Sequence, residues 1–397
     1  MIKKFEGSPT TTHTVLCIEI LQLTRNTIMK YLILLAAFFV SVDVSAQDAT
    51  VLAEPHHIVV DSEDNVFVTR KYGLVKIAPN GTIANLSKQG PVIGGMDRAW
   101  HDLIIDSKDN MYAHDGKEIY KIVVSADNIV TLTRFAGQQW SYKLEDGPLA
   151  TAGINSIGLM AVDKNDNLYF TDSADKIKDT IGTNFVTDNF NLSEAARKVE
   201  KKNRKAFNVI RKISPDGIVS TLKTPDGKFI LPNQISGMAI DLQGNIIFGS
   251  YSFGRFVGKI DLATGAITLV AGQPYKREWC PIYTPGPIAT AEFVEPENII
   301  VNKKGEILVA DQRINRIIKI ADGRMSTLAG GNIIDDCSGN IAGSSENGNR
   351  DGRALTALFG SPKGMAYDSK GNLYLADTAN HSIRKLSPDG MVSTFAK

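Results

Sequence analysis

The sequence has too few cysteines for a disulfide-rich scaffold and too little net charge for a protein built around nucleic acid. Its 397 residues include 3 cysteines, 44 Lys+Arg and 43 Asp+Glu, which gives a formal net charge of +1. This balance carries no specific nucleic-acid signal and no general attraction to an anionic membrane. The HExxH motif, the GxSxG elbow, the P-loop and the CxxC pair are also absent, so no common catalytic motif identifies an enzyme.

No apolar run is long enough to span a bilayer core of ~30 Å, and the most apolar segment lies near the N-terminus. Residues 31–40 form a short apolar run, and the small residues 44–46 follow it. This order is typical of a secretory signal peptide, and it fits best if translation starts at Met29. We therefore predict that residues 1–46 are an over-long start plus signal peptide. Residues 47–397 would then be a soluble extracytoplasmic domain, periplasmic or secreted, with no membrane span.

Two cysteines remain after the predicted cleavage point. Cys280 and Cys337 lie in long connections that are rich in Gly, Pro and Asn, whereas Cys17 precedes the signal segment. An exported chain meets oxidising conditions. We therefore predict a disulfide between Cys280 and Cys337, with two unpaired thiols as the alternative.

One pattern recurs six times along the chain. An apolar strand ends at Asp or Asn, a short turn closes with Asp-Asn, Gly-Asn or Gly-Glu, and three further short strands follow. Turns of this kind need positive φ, which these residues tolerate. Six four-stranded units predict an all-β protein, a six-bladed β-propeller of antiparallel blades. The predicted blades span residues 55–87, 99–137, 156–223, 234–272, 294–331 and 360–397.

The sixth repeat resembles a known repeat family. Residues 364–390 read GMAYDSKGNLYLADTANHSIRKLSPDG, which is similar to the NHL repeat, and related patterns cover residues 49–397. The resemblance implies a propeller related in fold to gluconolactonase-like and peptidyl-amidating-lyase-like propellers. It selects no activity, because NHL relatives include ligand-binding, protein-binding, RNA-binding and enzymatic propellers. We expect residues 50–53 to pair with the sixth blade and hide its edge.

Most of the length variation falls on one face of the predicted propeller. The turns between first and second strands, and between third and fourth strands, are short. The second-to-third and blade-to-blade connections are long, and long loops on a rigid scaffold commonly carry function. Three of them share a motif, at 146–154, 286–293 and 351–359. It resembles a connection of many NHL proteins, and we interpret it as a helical turn whose apolar residues pack onto the next blade.

The third blade contains an insertion between residues 172 and 208. From Ser193 onward it has a helical pattern with one apolar and one basic face. We predict a helical insertion in blade three whose basic face is solvated. The alternative is a lid over an anionic ligand, and the lid candidates are Arg197, Lys201 and Lys205.

Polar residues gather where the innermost strands begin on the long-loop face. The candidate ligand-binding residues at this channel mouth are His56, His57, His101, Asp102, Glu297, Asn298 and Lys363. Imidazoles beside carboxylates suit a zinc site or acid–base chemistry. The metal candidates are His57, His101 and Asp102. A polar, hydrated mouth without a metal explains the same residues equally well.

Asp residues recur at the ends of second strands, at Asp115, Asp172, Asp311 and Asp377. We interpret them as structural acceptors for the backbone of the following turn. One of them has a second interpretation. Asp311 and Pro232-Asn233 resemble parts of the calcium-dependent lactonase pattern, although the Glu-x-Pro element of that pattern is not reproduced.

Together these patterns predict a monomeric, exported binding module that takes a ligand or protein partner on its long-loop face, with an anionic partner as one candidate. The alternative is a lyase or hydrolase, amidating-lyase-like or lactonase-like, that uses Zn or Ca at the channel mouth. The sequence names neither the ligand nor a required cofactor.

Overall fold

The chain divides into two units, Met1–Val51 and Leu52–Lys397, and the second is the propeller. The computed structural model describes residues 51–70, 73–88, 100–137, 144–174, 185–187, 207–232, 235–250, 254–274, 282–331 and 347–397. The predicted signal segment, the disulfide between Cys280 and Cys337, and the lid candidates Arg197, Lys201 and Lys205 lie outside the described residues.

Six blades of four or five strands make up the propeller, as the repeats predict. Neighbouring strands within a blade are antiparallel, except that Ser87–Lys88 pairs in parallel with the outer strand of blade two. Blade one holds β1 (Ile58–Val60), β2 (Val66–Arg70), β3 (Gly73–Ile77) and β4 (Ile83–Asn85); blade two holds β5 (Ser87–Lys88), β6 (Leu103–Ile105), β7 (Met111–His114), β8 (Ile119–Val124) and β9 (Ile129–Ala136). Blade three holds β10 (Gly147–Pro148), β11 (Ile157–Val162), β12 (Leu168–Ala174), β14 (Phe207–Ile213) and β15 (Ile218–Thr221). A separate parallel pair joins β13 (Phe185–Thr187) to β16 (Phe229–Leu231).

The remaining three blades repeat this order. Blade four holds β17 (Gly237–Ile240), β18 (Ile246–Ser250), β19 (Gly254–Ile260) and β20 (Ile267–Pro274). Blade five holds β21 (Gly286–Pro287), β22 (Pro296–Val301), β23 (Ile307–Asp311), β24 (Arg316–Ala321) and β25 (Arg324–Ala329); blade six holds β26 (Gly352–Arg353), β27 (Pro362–Tyr367), β28 (Leu373–Asp377), β29 (Ser382–Leu386) and β30 (Met391–Ala396). The 3₁₀ turns Gln312–Ile314 and Thr378–Asn380 follow the second strands of blades five and six. Part of the predicted helical insertion falls outside the described residues, but its last residue, Phe207, begins β14.

The innermost strands contact one another in a closed ring, in the order β1, β6, β11, β17, β22 and β27. Blade six meets blade one through the Gly364 N–H, which donates to the His56 carbonyl at 2.7 Å. The Thr378 hydroxyl also donates to the Pro55 carbonyl at 2.6 Å. The predicted pairing of residues 50–53 with blade six is not seen as a strand in its described part: residues 51–53 form a turn, and the edge strand of blade six is β26. Residue 50 lies outside the described residues.

The shared loop motif adds a fifth strand to three blades. In each copy, the Gly and the next residue pair with the outermost strand, as β10, β21 and β26 do. A hydrogen-bonded turn follows, in which the Ala152 N–H donates to the Pro148 carbonyl at 2.8 Å. The apolar residues then pack into the cores, where Ala152, Ile154, Ala291, Phe293, Ala357 and Phe359 are all buried. The predicted packing role of this motif is confirmed, and the added strand extends each blade outward.

Two blades contain a fully buried arginine on the third strand. In blade six, Arg384 donates to Asp377 Oδ2 at 2.8 Å, to the Leu358 carbonyl at 2.9 Å and to Asp351 Oδ1 at 2.5 Å. Asp351 is the first residue of the loop motif, so the arginine ties the motif to the centre of the blade. Blade three repeats the arrangement with Arg211, which donates to Asp172, to Asp146 and to the Gly153 carbonyl.

The predicted structural role of the strand-end carboxylates is confirmed, with a correction to their partners. Asp115 accepts from the following turn, at the Lys117 and Glu118 N–H groups. In contrast, Asp172 accepts from the Asn155 and Ser156 N–H groups, which lead into the first strand of the same blade. Asp172 therefore joins the entry of its blade to the end of the second strand, because both lie on the long-loop face, whereas the backbone groups that donate to Asp115 lie in the turn that follows it.

Serine–aspartate pairs link neighbouring blades on the short-turn face. The N–H and hydroxyl of Ser107 donate to the two carboxylate oxygens of Asp166, each at 2.9 Å. The same pairing joins Ser62 to Asp109 and Ser369 to Asp64. Each aspartate has positive φ, and blades four to six carry Gly244, Gly305 and Gly371 at that turn position. Blades six, one, two and three are therefore connected in series.

We expect Ser107→Ala and Asp166→Gly to be coupled by about 1 kcal/mol in a double-mutant cycle of unfolding free energies, because the Ser107 hydroxyl donates to the Asp166 carboxylate. Glycine suits the positive φ of 61° at this position, so the cycle isolates the lost contacts. Ser62→Ala combined with Asp166→Gly is the control, since Ser62 bonds to Asp109. Equal coupling in both cycles would contradict the inter-blade role.

Candidate functional site

The innermost strands begin on the long-loop face, and four of them bring polar side chains together there. We use "the mouth" for six of these residues: His56, His57, His101, Asp102, Glu297 and Lys363. Neighbouring strands approach closely at this end. A Cβ atom added to Gly237 would lie 1.8 Å from the Glu297 carbonyl oxygen, and one added to Gly364 would lie 2.4 Å from the His56 oxygen. Glycine in one blade thus allows the next blade's polar residue to sit against it.

A histidine–aspartate pair joins blades one and two. His57 Nδ1 lies 3.2 Å from Asp102 Oδ1. The Met160 N–H of blade three donates to Asp102 Oδ2 at 2.7 Å, and the Leu103 N–H donates to Oδ1 at 2.9 Å. Burial alone would raise the pKa of the Asp102 carboxyl, but His57 and the Met160 N–H outweigh burial, so the net pKa lies below its ordinary value. Asp102 is therefore an ionised anchor that orients His57 through Nδ1.

His56 is held at the junction of blades six and one. Its N–H donates to the Thr69 carbonyl at 2.8 Å, and its own carbonyl accepts from the Gly364 N–H. Its ring lies 6.3 Å from the His57 ring, nearly parallel to it. Burial, followed by the charges of Lys363 and His57, lowers the pKa of His56 to about 4. A half-buried imidazole beside other basic groups is thus neutral at pH 7.

Two further histidines lie close together at the blade-two edge of the mouth. The exposed His101 ring lies 5.7 Å from the ring of His114, which is buried at the end of β7. His114 Nδ1 accepts from the Gly116 N–H at 3.0 Å, and burial lowers its pKa to about 4. His114 is therefore a neutral, buried side chain next to the His101 ring, whereas His101 itself faces solvent.

Glu297 enters the mouth from blade five, supported by a residue that the sequence patterns did not indicate. With its amide oxygen toward Ser361 Oγ at 2.8 Å, Gln312 directs its amide nitrogen toward the Glu297 carboxylate. Burial raises the pKa of Glu297, and Lys363 opposes this effect. Gln312 follows β23 in a 3₁₀ turn, and its role was not predictable because an isolated Gln is common on surfaces.

Not every predicted residue joins this arrangement. The Oδ1 atom of Asn298 is buried and has no hydrogen-bond partner among the described residues. The metal candidates His57, His101 and Asp102 do not form a three-ligand set, because no three His, Cys, Asp or Glu side chains in the described ranges are grouped to hold an ion. The Asp102 oxygens are occupied by His57 and by backbone N–H groups.

The calcium-lactonase interpretation of Asp311 does not fit its position. Asp311 is fully buried inside blade five, where its two carboxylate oxygens accept from the Val294 and Glu295 N–H groups at 2.8 and 2.9 Å. Asn233, the other residue of that pattern, lies outside the described residues. The carboxylate is thus a structural acceptor, and the resemblance does not extend to a site.

The mouth combines hydrogen-bond donors and acceptors of both charges within a partly buried, preorganised setting. His57 has Nδ1 on Asp102, which leaves the opposite ring nitrogen, Nε2, for a ligand. Lys363 supplies a cation and Glu297 a carboxylate. Chemically, such a site can bind a polar ligand, and the oriented imidazole is of the kind that transfers protons.

Comparison with known proteins finds similarity to NHL proteins in part of the chain. Residues 257–387 match the teneurin NHL domain model. A 93-residue segment is 38% identical to NHL repeat-containing protein 2 of Gallus gallus; this segment is 23% of the present chain and 11% of the chicken protein. The present chain therefore matches only about a tenth of the length of that relative.

Solved structures show the same fold. A protein of unknown function from Bacteroides thetaiotaomicron aligns with a TM-score of 0.54 at 16% identity, over 84% of this chain and 69% of that one. An auxiliary nutrient binding protein from Bacteroides ovatus aligns with a TM-score of 0.54 at 14% identity, over 85% of this chain and 69% of that one.

None of the helices in the described ranges has the length and apolar composition of a transmembrane segment. The described residues form a six-bladed β-propeller, and residues 257–387 are similar to an NHL domain.

Proposed function

We propose that this propeller is an exported binding module that holds a small polar ligand, or a polar segment of a protein partner, at the mouth. The observation that carries the proposal is the convergence of His56, His57, Lys363 and Glu297 from three different blades. These side chains are half-buried. Blade two repeats His56 as His101, but at the positions of the other three residues the remaining blades carry different residues.

The contrast with repeated positions supports this interpretation. A residue that builds a blade recurs at the same place, as the turn Asp does at Asp61, Asp106 and Asp163, each bonded within its own turn. Among the mouth residues, only one residue type recurs at the same position, as His56 and His101 at the start of blades one and two; the others do not recur, so blade architecture does not require them. Polar groups that converge without a structural requirement are the usual feature of a ligand site.

Two further considerations are consistent with binding outside the cytoplasm. The N-terminal pattern at residues 31–46 resembles a cleaved export signal. In addition, a protein named as an auxiliary nutrient binding protein from Bacteroides ovatus shares the fold. A fold alone does not determine function, so the mouth geometry carries the argument.

The pair of His57 with Asp102 favours a second function, acid–base catalysis of a lyase or hydrolase type. An anchored carboxylate that fixes the imidazole through Nδ1 leaves Nε2 to accept or donate a proton at the mouth. No metal is needed for that step. The two functions differ in one observable: a catalyst converts its bound ligand to product, whereas a binding module releases the ligand unchanged.

The test is a screen of sugars, sugar acids and short peptides by calorimetry against the full exported protein. We expect a ligand whose dissociation constant rises at least ~10-fold, about 1.4 kcal/mol, on His57→Gln or Lys363→Gln. Lys303→Gln, in an exposed turn of the opposite face, is the matched control.

The outcomes separate the two functions. Unchanged affinity in both mouth variants for every ligand found would place the binding site elsewhere and end the proposal. Conversion of a ligand to product, abolished by His57→Gln while the ligand still binds, would establish the catalytic alternative.

A further inference from the structure

The carboxylate that faces the His57 ring decides which ring nitrogen carries the proton. His57 Nδ1 lies 3.2 Å from Asp102 Oδ1, which also accepts from the Leu103 N–H, while Oδ2 accepts from the Met160 N–H. Burial raises the pKa of Asp102, but His57 and the Met160 N–H lower it by more, so the carboxylate is ionised and has no proton to donate. The proton between the two side chains therefore belongs to His57 Nδ1.

Two other histidines of the long-loop face have the opposite arrangement. His114 Nδ1 accepts from the Gly116 N–H at 3.0 Å, and His381 Nδ1 accepts from the Glu54 N–H at 3.1 Å. A ring nitrogen that accepts a hydrogen bond carries no proton, so in these two rings the proton is on Nε2. In His57 the proton is on Nδ1, and Nε2 has a free lone pair. Of these three rings, His57 is therefore the one that presents an acceptor at Nε2.

The His57 acceptor is fixed in position and open to a ligand. The His57 N–H donates to Thr69 Oγ1, and its carbonyl accepts from the Thr69 N–H, each at 3.0 Å. Blade six packs against the same backbone, since a Cβ atom added to Gly364 would lie 2.8 Å from His57 Cα. The side chain of His57 is 21% exposed. Because its Nδ1 side faces the buried Asp102, the exposed side of the ring is the one that includes Nε2.

We propose, as an extension of the binding function proposed above, that His57 Nε2 accepts a hydrogen bond from a hydroxyl group of a neutral ligand, such as a sugar. The ligand atom at this position must donate, because a lone pair repels carbonyl, ether and carboxylate oxygens. Lys363 and Glu297 bring charges of both signs to the mouth, so neither an anion nor a cation is favoured over a neutral donor. Asp102 is a positioning residue, because it fixes the His57 tautomer without touching the ligand.

The tautomers are measured first, on the full exported protein without a ligand. Its histidine rings are labelled with ¹⁵N, and two-bond ¹H–¹⁵N correlation NMR at pH 8 distinguishes the Nδ1–H form from the Nε2–H form. We expect the Nδ1–H form for His57, assigned with His57→Gln. His114 and His381 are internal controls, for which we expect the Nε2–H form. An Nε2–H form of His57 would overturn the inference.

The ligand chemistry is tested with the neutral hexoses D-glucose, D-galactose and D-mannose and their monodeoxyfluoro derivatives. In each derivative, fluorine replaces one hydroxyl group, so the donor is lost while the shape is nearly kept. We expect at least one hexose to shift the His57 Nε2 resonance. Fluorine at one position of that hexose should weaken binding at least ~5-fold, the effect of one lost hydrogen bond.

His57→Asn is the matched variant, because its amide nitrogen takes the place of Nδ1 beside Asp102 while the group at Nε2 is lost. It should weaken binding of that hexose at least ~5-fold, and fluorine at the sensitive position should then cause no further loss. Lys303→Gln should bind like the unmodified protein. The tautomer and the fluorine series are measured on the unmodified protein, so they remain decisive if His57→Asn does not fold.

Failure of this inference is distinguishable from failure of the proposed function. If no hexose perturbs His57, or if fluorine at every position leaves the affinity unchanged, the hydroxyl inference is wrong. A sugar acid or peptide whose binding depends on Lys363 would in that case leave the proposed function standing. If no ligand of any class depends on the mouth residues, both proposals are wrong.

Discussion

Replacing Arg384 with alanine is expected to lower the free energy of unfolding by about 3–5 kcal/mol. Arg384 is fully buried, and its guanidinium donates to Asp377, to Asp351 and to the Leu358 carbonyl. Its removal leaves Asp377 buried without its cation. Burial already raises the pKa of Asp377 despite the arginine, so loss of the cation increases the cost of keeping that carboxylate charged.

The measurement is urea unfolding at pH 7, with Arg353→Ala as the control. Arg353 belongs to the same blade, but its side chain is exposed, so its loss should change stability by no more than about 0.5 kcal/mol. If Arg384→Ala does not fold, Arg384→Lys provides the same test, because a single ammonium cannot reach all three acceptors. A change below about 1 kcal/mol for Arg384→Ala would show that the hydrogen bonds of Arg384 to its three acceptors are not a major source of stability.

The sequence was sufficient for the fold because its turns repeat. Each first-to-second-strand turn combines an Asp or Asn acceptor with a residue that tolerates positive φ, such as Asp64 or Gly371. These signals are local, and six copies leave the propeller as the consistent arrangement. The role of the loop motif was also predictable, since alternating small and apolar residues after a Gly indicate a packed turn.

Long-range pairings were not predictable from one sequence. Arg211 reaches Asp146 across 65 positions, and no local pattern connects a strand arginine to a loop aspartate. Glu297 and Gln312 meet only because β22 and β23 are neighbours in blade five. The described residues 51–53 form a turn and not the predicted strand, and it is β26 that covers the outer strand of blade six.

The pH dependence of stability should depend strongly on Asp311. In blades three and six, an arginine on the third strand faces the buried carboxylate. In the strand register, this arginine lies opposite the residue two positions before the carboxylate. Blade five has Ile318 at this place, paired with Val309. Burial, only partly offset by the Val294 and Glu295 N–H groups, therefore raises the pKa of Asp311 from 3.8 to about 7.

Because the pKa of Asp311 is raised in the folded protein, its ionisation makes stability fall as pH rises. Below pH 3.8 the group is protonated in both states and contributes no pH dependence. As pH rises from about 4 to 7, the unfolded chain ionises first, so stability falls, by on the order of 4 kcal/mol in total. Above pH 7 both states are ionised and the contribution is constant. Between pH 5 and 8, where unfolding is readily measured, Asp311 alone should remove about 2–3 kcal/mol.

Urea unfolding of Asp311→Asn at pH 5 and pH 8 tests this prediction. Asparagine is the same size but does not ionise, so the loss of stability between the two pH values should be about 2–3 kcal/mol smaller than in the unmodified protein. Absolute stability should fall as well, because the amide nitrogen faces one of the two backbone N–H groups that the carboxylate now accepts. The difference between the two pH values isolates the ionisation from this cost. The control is Asp322→Asn, at an exposed turn of the same blade, which should lose as much stability between pH 5 and pH 8 as the unmodified protein. If Asp311→Asn loses the same amount as the unmodified protein, Asp311 is already ionised at pH 5.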